Sequence, residues 1–315
     1  TNLKMKAQAI KNKNQTLLYT GQAARWFVTG LTDAEGCFYL SITKNTQFKI
    51  GWKVLAFFEI HIHKKDRDLL NFVQEQLGGI GRVVPNGKDA YSFRVNSLKD
   101  VLNYVIPHFD NYPLISQKLA DYLLWKKVLI KMQNGEHLTE VGIKEIVNIR
   151  ATINTGLSSI LKAGFPQATP VTRPLVEKQL ILHEAWFSGF TSGEGSFSIR
   201  VSKSLTKLGF RVQLVFTVSQ HIRDEKLLIS FIDYLGCGNY RAYSNRELGD
   251  YVCMNFEDIY SKIIPFFKKH PILGVKSQDF TDWVKAAEYI QNKDHLTEEG
   301  FNKILDIKSN MNRGR

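Results

Sequence analysis

The clearest pattern in the chain is a strict alternation of apolar and polar residues, which occurs in four separate runs. Residues 37–43 and 53–61 alternate in the first half, and residues 196–202 and 211–219 alternate in the second. A period of two is typical of a β-strand that buries one face, because successive side chains point to opposite sides of a sheet. The pattern therefore predicts two strand pairs, each with an apolar inner face and a polar outer face.

Helical segments surround these strands in the same order in both halves: helix, two strands, helix, two strands and further helices. The first helix of each half ends at a glycine, Gly36 or Gly195, and we expect that glycine to adopt the left-handed conformation that closes many helices. The predicted bounds are about 22–35 and 183–194 for the first helices and 66–77 and 224–235 for the middle helices. The second strand pairs are predicted at 81–86 with 90–96 and at 239–245 with 250–255. The closing helices are expected to be interrupted at Pro107, Pro113, Pro265 and Pro271.

The two halves repeat one another. Segments 28–36 and 187–195 share one pattern and place Glu35 and Glu194 159 positions apart, while Trp125 and Trp283 lie 158 positions apart. The lag therefore changes by a single residue, which a loop absorbs. A lag of this size is far longer than the period of a solenoid repeat, so it indicates the duplication of a whole domain.

The repeat also predicts the domain organisation. We expect a basic N-terminal arm at residues 1–20, a first domain at 21–156, a linker at 157–181 and a second domain at 182–315. The linker contains three prolines among polar residues, as a connecting segment often does. Each half has the size of an ordinary domain and can bury its own core.

Composition narrows the classes of partner. The formal net charge is +12 and the isoelectric point is about 9.4, which favours an anionic partner, with nucleic acid ahead of a membrane. No apolar run reaches transmembrane length. Cys37, Cys237 and Cys253 are odd in number and show no metal-ligand spacing, so disulfides and structural zinc are not expected and a reducing compartment is indicated.

The polar faces of the predicted strands are rich in residues that bind nucleic acids. A solvated strand face is the ordinary explanation of such alternation, but Arg, Asn and Gln outnumber Glu here, and these side chains read base edges in the major groove. Lysines at strand ends and turns suit phosphate contacts. The candidate DNA-binding residues are Tyr39, Ser41, Thr43, Lys44, Lys53, Glu59, His61, Arg82, Asn86, Lys88, Ser92, Arg94, Asn96, Ser198, Arg200, Ser202, Lys203, Lys207, Arg211, Gln213, Thr217, Arg241, Tyr243 and Asn245.

The candidate chemistry rests on Glu35 and Glu194. Each acid ends a predicted helix, where unpaired carbonyls and the negative end of the helix dipole make a hard-oxygen site that favours Mg²⁺. If the two helices pack side by side on small residues such as Gly30 and Gly189, their acids meet, which is what two-ion phosphodiester cleavage requires. An exposed helix end is the alternative for either acid alone. The shared acid is the glutamate, because Ser192 replaces Asp33 in the second copy.

With these motifs the chain resembles the LAGLIDADG homing endonucleases, in particular the single-chain I-OnuI-like branch of fungal organellar introns. The resemblance covers about residues 26–315. It implies an α+β fold in which two αββαββα domains form a saddle of antiparallel sheets on DNA, in one monomer with an internal pseudo-dimer. It also implies hydrolysis of both strands with short 3′ overhangs. Mg²⁺ is the implied metal, with Ca²⁺ or Mn²⁺ as substitutes in the same sites.

The resemblance assigns roles to individual residues. Glu35 and Glu194 are implied to bind the metal ions with the backbone carbonyls of Ala34 and Gly193. Gln220 matches a residue that positions water. The alternative is that Gln220 is a buried amide that hydrogen-bonds within the sheet. Its counterpart Ile62 cannot form hydrogen bonds, which departs from the symmetric pattern.

Basic residues complete the implied site. Lys118 and Lys276 match a cation near the scissile phosphates, with ordinary surface lysines as the alternative. Arg223 and Lys65 resemble further cations at a greater distance. His61, His63 and His221 show no ligand spacing, and we expect them at the surface or facing the DNA.

The expected function is site-specific cleavage of a long asymmetric DNA target in intron homing. An intron RNA maturase of the same fold and a catalytically silent DNA-binding protein are the alternatives; retention of both Glu35 and Glu194 favours the nuclease. Intron RNA is a further partner if maturase activity is present, and no membrane partner is expected. The resemblance implies a mitochondrial location.

Overall fold

The computed structural model describes residues 18–205 and 207–312, so the expected arm at 1–20 lies almost wholly outside the described residues. The chain divides into two compact units. The first unit combines the segment that ends at Ala34 with residues Gln179 and beyond, and the second unit is Glu35–Lys178. The first motif helix is therefore grouped with the second half of the sequence.

The first half has the predicted order of elements, and its first sheet has the strand order β1-β2-β4-β3 with antiparallel pairing throughout. The elements are α1 (Gly21–Glu35), β1 (Gly36–Lys44), β2 (Trp52–His63), α2 (Arg67–Gln76), β3 (Arg82–Pro85), β4 (Ala90–Val95), α3 (Ile106–Asn111), α4 (Lys118–Gln133), α5 (Glu140–Arg150) and α6 (Ser159–Gly164). Helix α6 lies within the expected linker.

The second half repeats this order, and its sheet has the strand order β5-β6-β8-β7. The elements are α7 (Glu184–Glu194), β5 (Gly195–Lys203), β6 (Phe210–His221), α8 (Glu225–Leu235), β7 (Asn239–Ala242), β8 (Leu248–Cys253), α9 (Ile264–Lys269), α10 (Lys276–Gln291) and α11 (Glu298–Ser309). The predicted α+β class with two αββαββα repeats is confirmed.

Each sheet buries the apolar face that the alternation predicted. In the first sheet Phe38 contacts Phe58, Phe109, Tyr122 and Trp125, with ring centroids 5.1–5.4 Å apart. In the second sheet Phe197 makes the corresponding contacts. These aromatic clusters bring the closing helices against the inner face of each sheet, which leaves the outer face to solvent.

Side chains from the closing helices and from the chain segments after them bind the unpaired edge of the first strand in both sheets. Trp125 Nε1 donates to the carbonyl oxygen of Tyr39 at 3.0 Å, and Asn154 Nδ2 donates to that of Phe38 at 3.2 Å. In the second sheet Trp283 and Asn312 donate to the carbonyls of Ser198 and Phe197 at 3.0 and 3.1 Å. The paired tryptophans are buried in the core and also satisfy strand-edge carbonyls.

Two local expectations were wrong. Pro107 and Pro265 do not interrupt their helices, because a π-helical turn at Val101–Val105 or Ile259–Ile263 precedes each proline. This wide turn accommodates a ring that lacks an N–H donor. Gly195 is also not left-handed: its φ of −74° and ψ of 153° are extended. A Cβ there would lie 2.3 Å from Thr191 Cγ2, so the glycine is required by close contact.

Candidate active site and sheet surface

The motif helices α1 and α7 pack closely within the first unit. A Cβ on Gly30 would lie 1.9 Å from the carbonyl oxygen of Trp186, and a Cβ on Gly189 would lie 2.1 Å from that of Phe27. Neither separation is possible for real atoms, so only glycine permits this approach. The expectation that these glycines bring the helices together is confirmed.

Asp33 holds this helix pair together. Its carboxylate oxygen Oδ2 accepts a hydrogen bond from Trp186 Nε1 at 2.8 Å, and both side chains are fully buried. At the repeat-equivalent positions the chain has Phe27 in place of Trp186 and Ser192 in place of Asp33. Asp33 has no acidic counterpart at Ser192 because its partner Trp186 is replaced by Phe27 at the equivalent position. The sequence shows this only when both pairs of positions are compared.

Ser192 forms different bonds because the side chain of Phe27 has no N–H group to donate. Its hydroxyl donates to the carbonyl of Ser188 at 2.8 Å, and it accepts from the backbone N–H of Leu273 at 3.2 Å. Ser188 in turn donates to the carbonyl of His270 at 2.8 Å. These bonds connect the end of helix α7 to the chain segment before α10.

Glu194 lies at the C-terminal end of α7 with two other candidate site residues beside it. Gln220 Nε2 donates to Glu194 Oε1 at 3.4 Å, while Gln220 Oε1 accepts from the backbone N–H of His221 at 2.9 Å. Because its oxygen is engaged, the amide presents its NH₂ group to the carboxylate. Lys276 Nζ donates to the carbonyls of Thr191 at 3.2 Å and of Gly193. The structure therefore brings Glu194, Gly193, Gln220 and Lys276 together within the first unit.

Glu35 has the equivalent position at the end of α1, where it is partly exposed. Ile62, at the position of Gln220, is buried in the sheet. Lys118 begins helix α4, and its charge acts on Cys37, two residues after Glu35. Burial raises the pKa of the Cys37 thiol, and the Lys118 ammonium partly opposes this increase. Lys118 therefore lies close to the strand that follows Glu35.

The oxygen donors in each half fit a hard divalent cation. Each motif has one carboxylate and one preceding backbone carbonyl, at Glu35 and Ala34 or at Glu194 and Gly193, and the Gly193 carbonyl accepts a hydrogen bond from Lys276 in this structure. Among the described residues there is no group of three or more His, Cys, Asp and Glu side chains that could bind a metal. Mg²⁺ typically binds proteins through one or two carboxylates and completes its shell with water and phosphate oxygens, so this sparse donor set suits it.

The histidines that lacked a ligand pattern are helix caps. His63 Nδ1 accepts from the backbone N–H of Lys65 at 3.2 Å, and His221 Nδ1 accepts from that of Arg223 at 3.1 Å. Each histidine thereby begins the short helical turn before the middle helix. Arg223 Nε lies 3.8 Å from Asp224 Oδ2, and its side chain is exposed. Gln179 also donates to Asp224, at 2.8 Å.

The outer face of the first sheet carries two hydrogen-bonded groups. Arg94 Nη2 donates to both carboxylate oxygens of Glu59 at 3.0 and 3.1 Å. Asn86 Nδ2 lies 2.8 Å from Ser92 Oγ and 3.1 Å from His61 Nδ1. Ser92 differs from the other candidate DNA-binding residues because it is fully buried beneath this group. The remaining candidates of this sheet are exposed or partly exposed: Tyr39, Ser41, Thr43, Lys44, Lys53, Glu59, His61, Arg82, Asn86, Lys88, Arg94 and Asn96.

The outer face of the second sheet is more polar and carries more exposed cations. Tyr243 donates to Asp250 Oδ2 at 2.5 Å, which fixes the loop between β7 and β8 against the sheet. Val215 lies on this face but is buried, so the alternation overstated its exposure. The candidates of this sheet are all exposed or partly exposed: Ser198, Arg200, Ser202, Lys203, Lys207, Arg211, Gln213, Thr217, Arg241, Tyr243 and Asn245.

None of the helices in the described part of the chain is both long and apolar enough to span a membrane. A family model described as LAGLIDADG endonuclease matches the chain twice, at residues 28–129 and 187–287. The two matches correspond to the two repeats and include both motif glutamates.

Individual relatives agree with this match. The chain is 38% identical over 296 residues to "Probable intron-encoded endonuclease 3" of Neurospora crassa, and this alignment covers 93% of the chain but only 55% of that relative. The chain thus spans about half the length of this curated protein.

Solved structures match over nearly their whole length. The I-SmaMI LAGLIDADG homing endonuclease bound to cleaved DNA has 45% identity and a TM-score of 0.91, with 92% of this chain and 97% of that chain covered. The same enzyme bound to an uncleaved DNA target in the presence of calcium ions has 45% identity and a TM-score of 0.90, with 92% and 99% covered. This chain belongs to the LAGLIDADG endonuclease family.

Proposed function

We propose that this protein is a site-specific DNA endonuclease that recognises a long asymmetric duplex and hydrolyses both of its strands. The observation that carries the proposal is the arrangement around Glu194. A carboxylate at a helix C-terminus has an amide donor from Gln220 and a lysine ammonium from Lys276 beside it. Membership of an endonuclease family and the similarity to I-SmaMI, which was solved on cleaved DNA, support the same function.

A divalent cation, with Mg²⁺ as the proposed physiological ion, would be held by Glu194 and the Gly193 carbonyl in one half and by Glu35 and the Ala34 carbonyl in the other. When bound, such an ion activates water as a nucleophile and neutralises charge on the phosphate. The solved complex of I-SmaMI with DNA and calcium ions supports a divalent cation in this family. Ca²⁺ and Mn²⁺ fit the same oxygen donors.

The side chains around these acids have distinct proposed roles. Gln220 fixes the orientation of the Glu194 carboxylate through its NH₂ group. Lys276 and Lys118 supply positive charge that stabilises the additional negative charge on the phosphate in the transition state. Ile62 offers no hydrogen bond at the position of Gln220. The two strands would therefore be cut in unequal environments, which suits a target without two-fold symmetry.

The exposed Arg, Lys, Asn and Gln side chains of both sheets are proposed to contact the duplex, with Arg223 as a further cation near the phosphates.

The proposed active form is a monomer, and the proposed products carry short 3′ overhangs. The intron-encoded Neurospora relative supports an origin in intron homing. The proposed location is the mitochondrion, which fractionation of the source cells tests.

The test is cleavage of a randomised duplex library by the purified protein with Mg²⁺, followed by sequencing of the cut ends. A single preferred sequence with paired cuts is expected. Glu35→Gln and Glu194→Gln should abolish double-strand cleavage and preserve affinity for the selected duplex, whereas Glu257→Gln, an exposed control, should cleave normally. Normal cleavage by either motif variant would refute the assigned chemistry. Binding to intron RNA without any DNA cleavage would instead identify a maturase.

A further inference from the structure

The outer face of the first sheet contains an apolar patch that its alternating pattern concealed. Tyr39 on β1 pairs directly with Phe57 on β2, and their rings stack with centroids 4.5 Å apart. Leu55 lies two residues from Phe57, on the same side of β2. The exposed fractions of Tyr39 and Leu55 are 40% and 42%, so this patch of Tyr39, Leu55 and Phe57 faces solvent.

The patch is held in place by charged neighbours. The Arg94 guanidinium lies 4.7 Å from the centroid of the Phe57 ring, in a cation–π contact. Glu59 fixes the same guanidinium by accepting two hydrogen bonds from its Nη2. Arg94 is thus already bound to neighbouring side chains. It supports the aromatic patch as well as providing charge.

The second sheet has a different surface at the equivalent positions. Ser198, Gln213 and Val215 correspond to Tyr39, Leu55 and Phe57, according to the pairing of β1 with β2 and of β5 with β6. Ser198 and Gln213 are polar, and Val215 is buried. The second sheet forms without exposed apolar side chains at these positions, so the fold does not require them in the first sheet.

The cations around the patch indicate what covers it. Lys44, Lys53 and Arg82 lie on the same sheet and are exposed or partly exposed, as suits contacts with phosphates. A polyanion with an apolar group between its phosphate chains is complementary to such a surface. In the major groove of DNA that group is the C5-methyl of thymine, which apolar side chains contact. The solved structure of I-SmaMI with a TM-score of 0.91 contains bound DNA.

We propose that Tyr39, Leu55 and Phe57 form a subsite that recognises the C5-methyl group of thymine in the part of the target bound by the first sheet. This inference rests on the proposed function. The sequence predicted readout of this half by hydrogen bonds from Arg94 and its polar neighbours. The structure assigns part of that readout to apolar contact, with Leu55 as the most exposed member of the patch.

The test uses the duplex selected by the cleavage experiment, in EDTA so that binding is measured without cleavage. Each thymine is replaced in turn by deoxyuridine, which removes only the methyl group. One or two adjacent replacements are expected to weaken binding about three- to fivefold, the size expected for one buried methyl group. Leu55→Gln, which introduces the residue found at position 213, and Tyr39→Ser should remove this sensitivity.

Lys53→Gln is the matched control on the same strand. It should weaken binding to all sequences alike and preserve the sensitivity to deoxyuridine. The inference is overturned if no thymine replacement changes affinity, or if the sensitive position keeps its full effect in both Leu55→Gln and Tyr39→Ser. If no preferred duplex is selected at all, the proposed function itself fails, and the inference fails with it. The two failures are thus distinguished.

Discussion

Trp186 Nε1 donates a hydrogen bond to Asp33 Oδ2 at 2.8 Å, and this bond joins the two motif helices through residues that lie 153 positions apart in the chain. The corresponding residues of the repeat, Phe27 and Ser192, have neither this donor nor this acceptor. The two exchanges compensate each other, because the buried Asp33 carboxylate without the indole would lose this hydrogen bond. The helix pair is therefore built from two unlike halves.

A double-mutant cycle tests this compensation. Asp33→Ser and Trp186→Phe should each destabilise the protein. Asp33→Ser removes the acceptor of the buried indole N–H. Trp186→Phe removes the donor to the buried carboxylate and also reduces the buried volume. The double variant reproduces the pair found at Phe27 and Ser192, so we expect a favourable coupling of about 1–3 kcal/mol. Urea unfolding gives the four free energies. Additive effects of the two substitutions would show that the bond contributes no specific coupling.

Substitution of the interface glycines should destabilise the protein strongly. Gly30→Ala and Gly189→Ala place a methyl group on a carbonyl oxygen of the facing helix, so the helices must separate. We expect a loss of about 3 kcal/mol in unfolding free energy, although alanine favours an isolated helix. Gly209→Ala is the control: its φ is +75° with open space around it, and it should cost about 1 kcal/mol. Equal effects at all three positions would contradict the close packing.

Lys276 provides a test of charge near the phosphates. Lys276→Met should reduce the cleavage rate at saturating DNA about 100-fold, because it removes a cation that stabilises the transition state. Affinity for the selected duplex should change little. Lys285→Met, on the same helix but paired with Asp282, is the control and should cleave normally. A loss of affinity with an unchanged maximal rate would assign Lys276 to DNA binding alone.

His137 predicts a pH dependence of stability. Burial lowers its pKa from the ordinary value of 6.5, and among the described residues its Nδ1 has no hydrogen-bond partner. The folded protein thus binds this proton less tightly than the unfolded chain does. The stability from the neutral ring is present above the unfolded pKa and is lost as the pH falls through the folded pKa.

The stability advantage of the wild type over His137→Gln should therefore shrink between pH 7.5 and pH 5. Urea unfolding at several pH values measures this difference. A constant difference, or one that grows on acidification, would contradict the lowered pKa.

The alternation of apolar and polar residues predicted most of the strands, because it depends on the strand's own side chains. The period of two identified β1 and β5, since Phe38 and Phe197 must face a core for their strands to be stable. The repeat then supported each prediction with a second copy. The burial of Val215 and Ser92 could not be predicted in this way, because it depends on side chains from neighbouring strands rather than on the strand itself.

The sequence proposed the residues of the candidate site but not the contacts that support them. Glu194, Gln220 and Lys276 were proposed from the sequence, and the structure places them together. The bond of Asp33 to Trp186 depends on the packing of two distant helices, which no local pattern reports. A comparison of positions 27 and 33 with 186 and 192 would have indicated the exchange. The sequence gives no comparable signal for the π-helical turns before Pro107 and Pro265.

The bonds from Asn154 and Asn312 to the first strand of each sheet indicate which substitutions in that strand this contact tolerates. Each asparagine lies more than a hundred residues after the strand that it closes. Each asparagine donates to a backbone carbonyl, so the contact does not depend on which side chain stands at Phe38 or Phe197. A first strand taken from a related chain should therefore keep this bond, provided that Asn154 or Asn312 is retained.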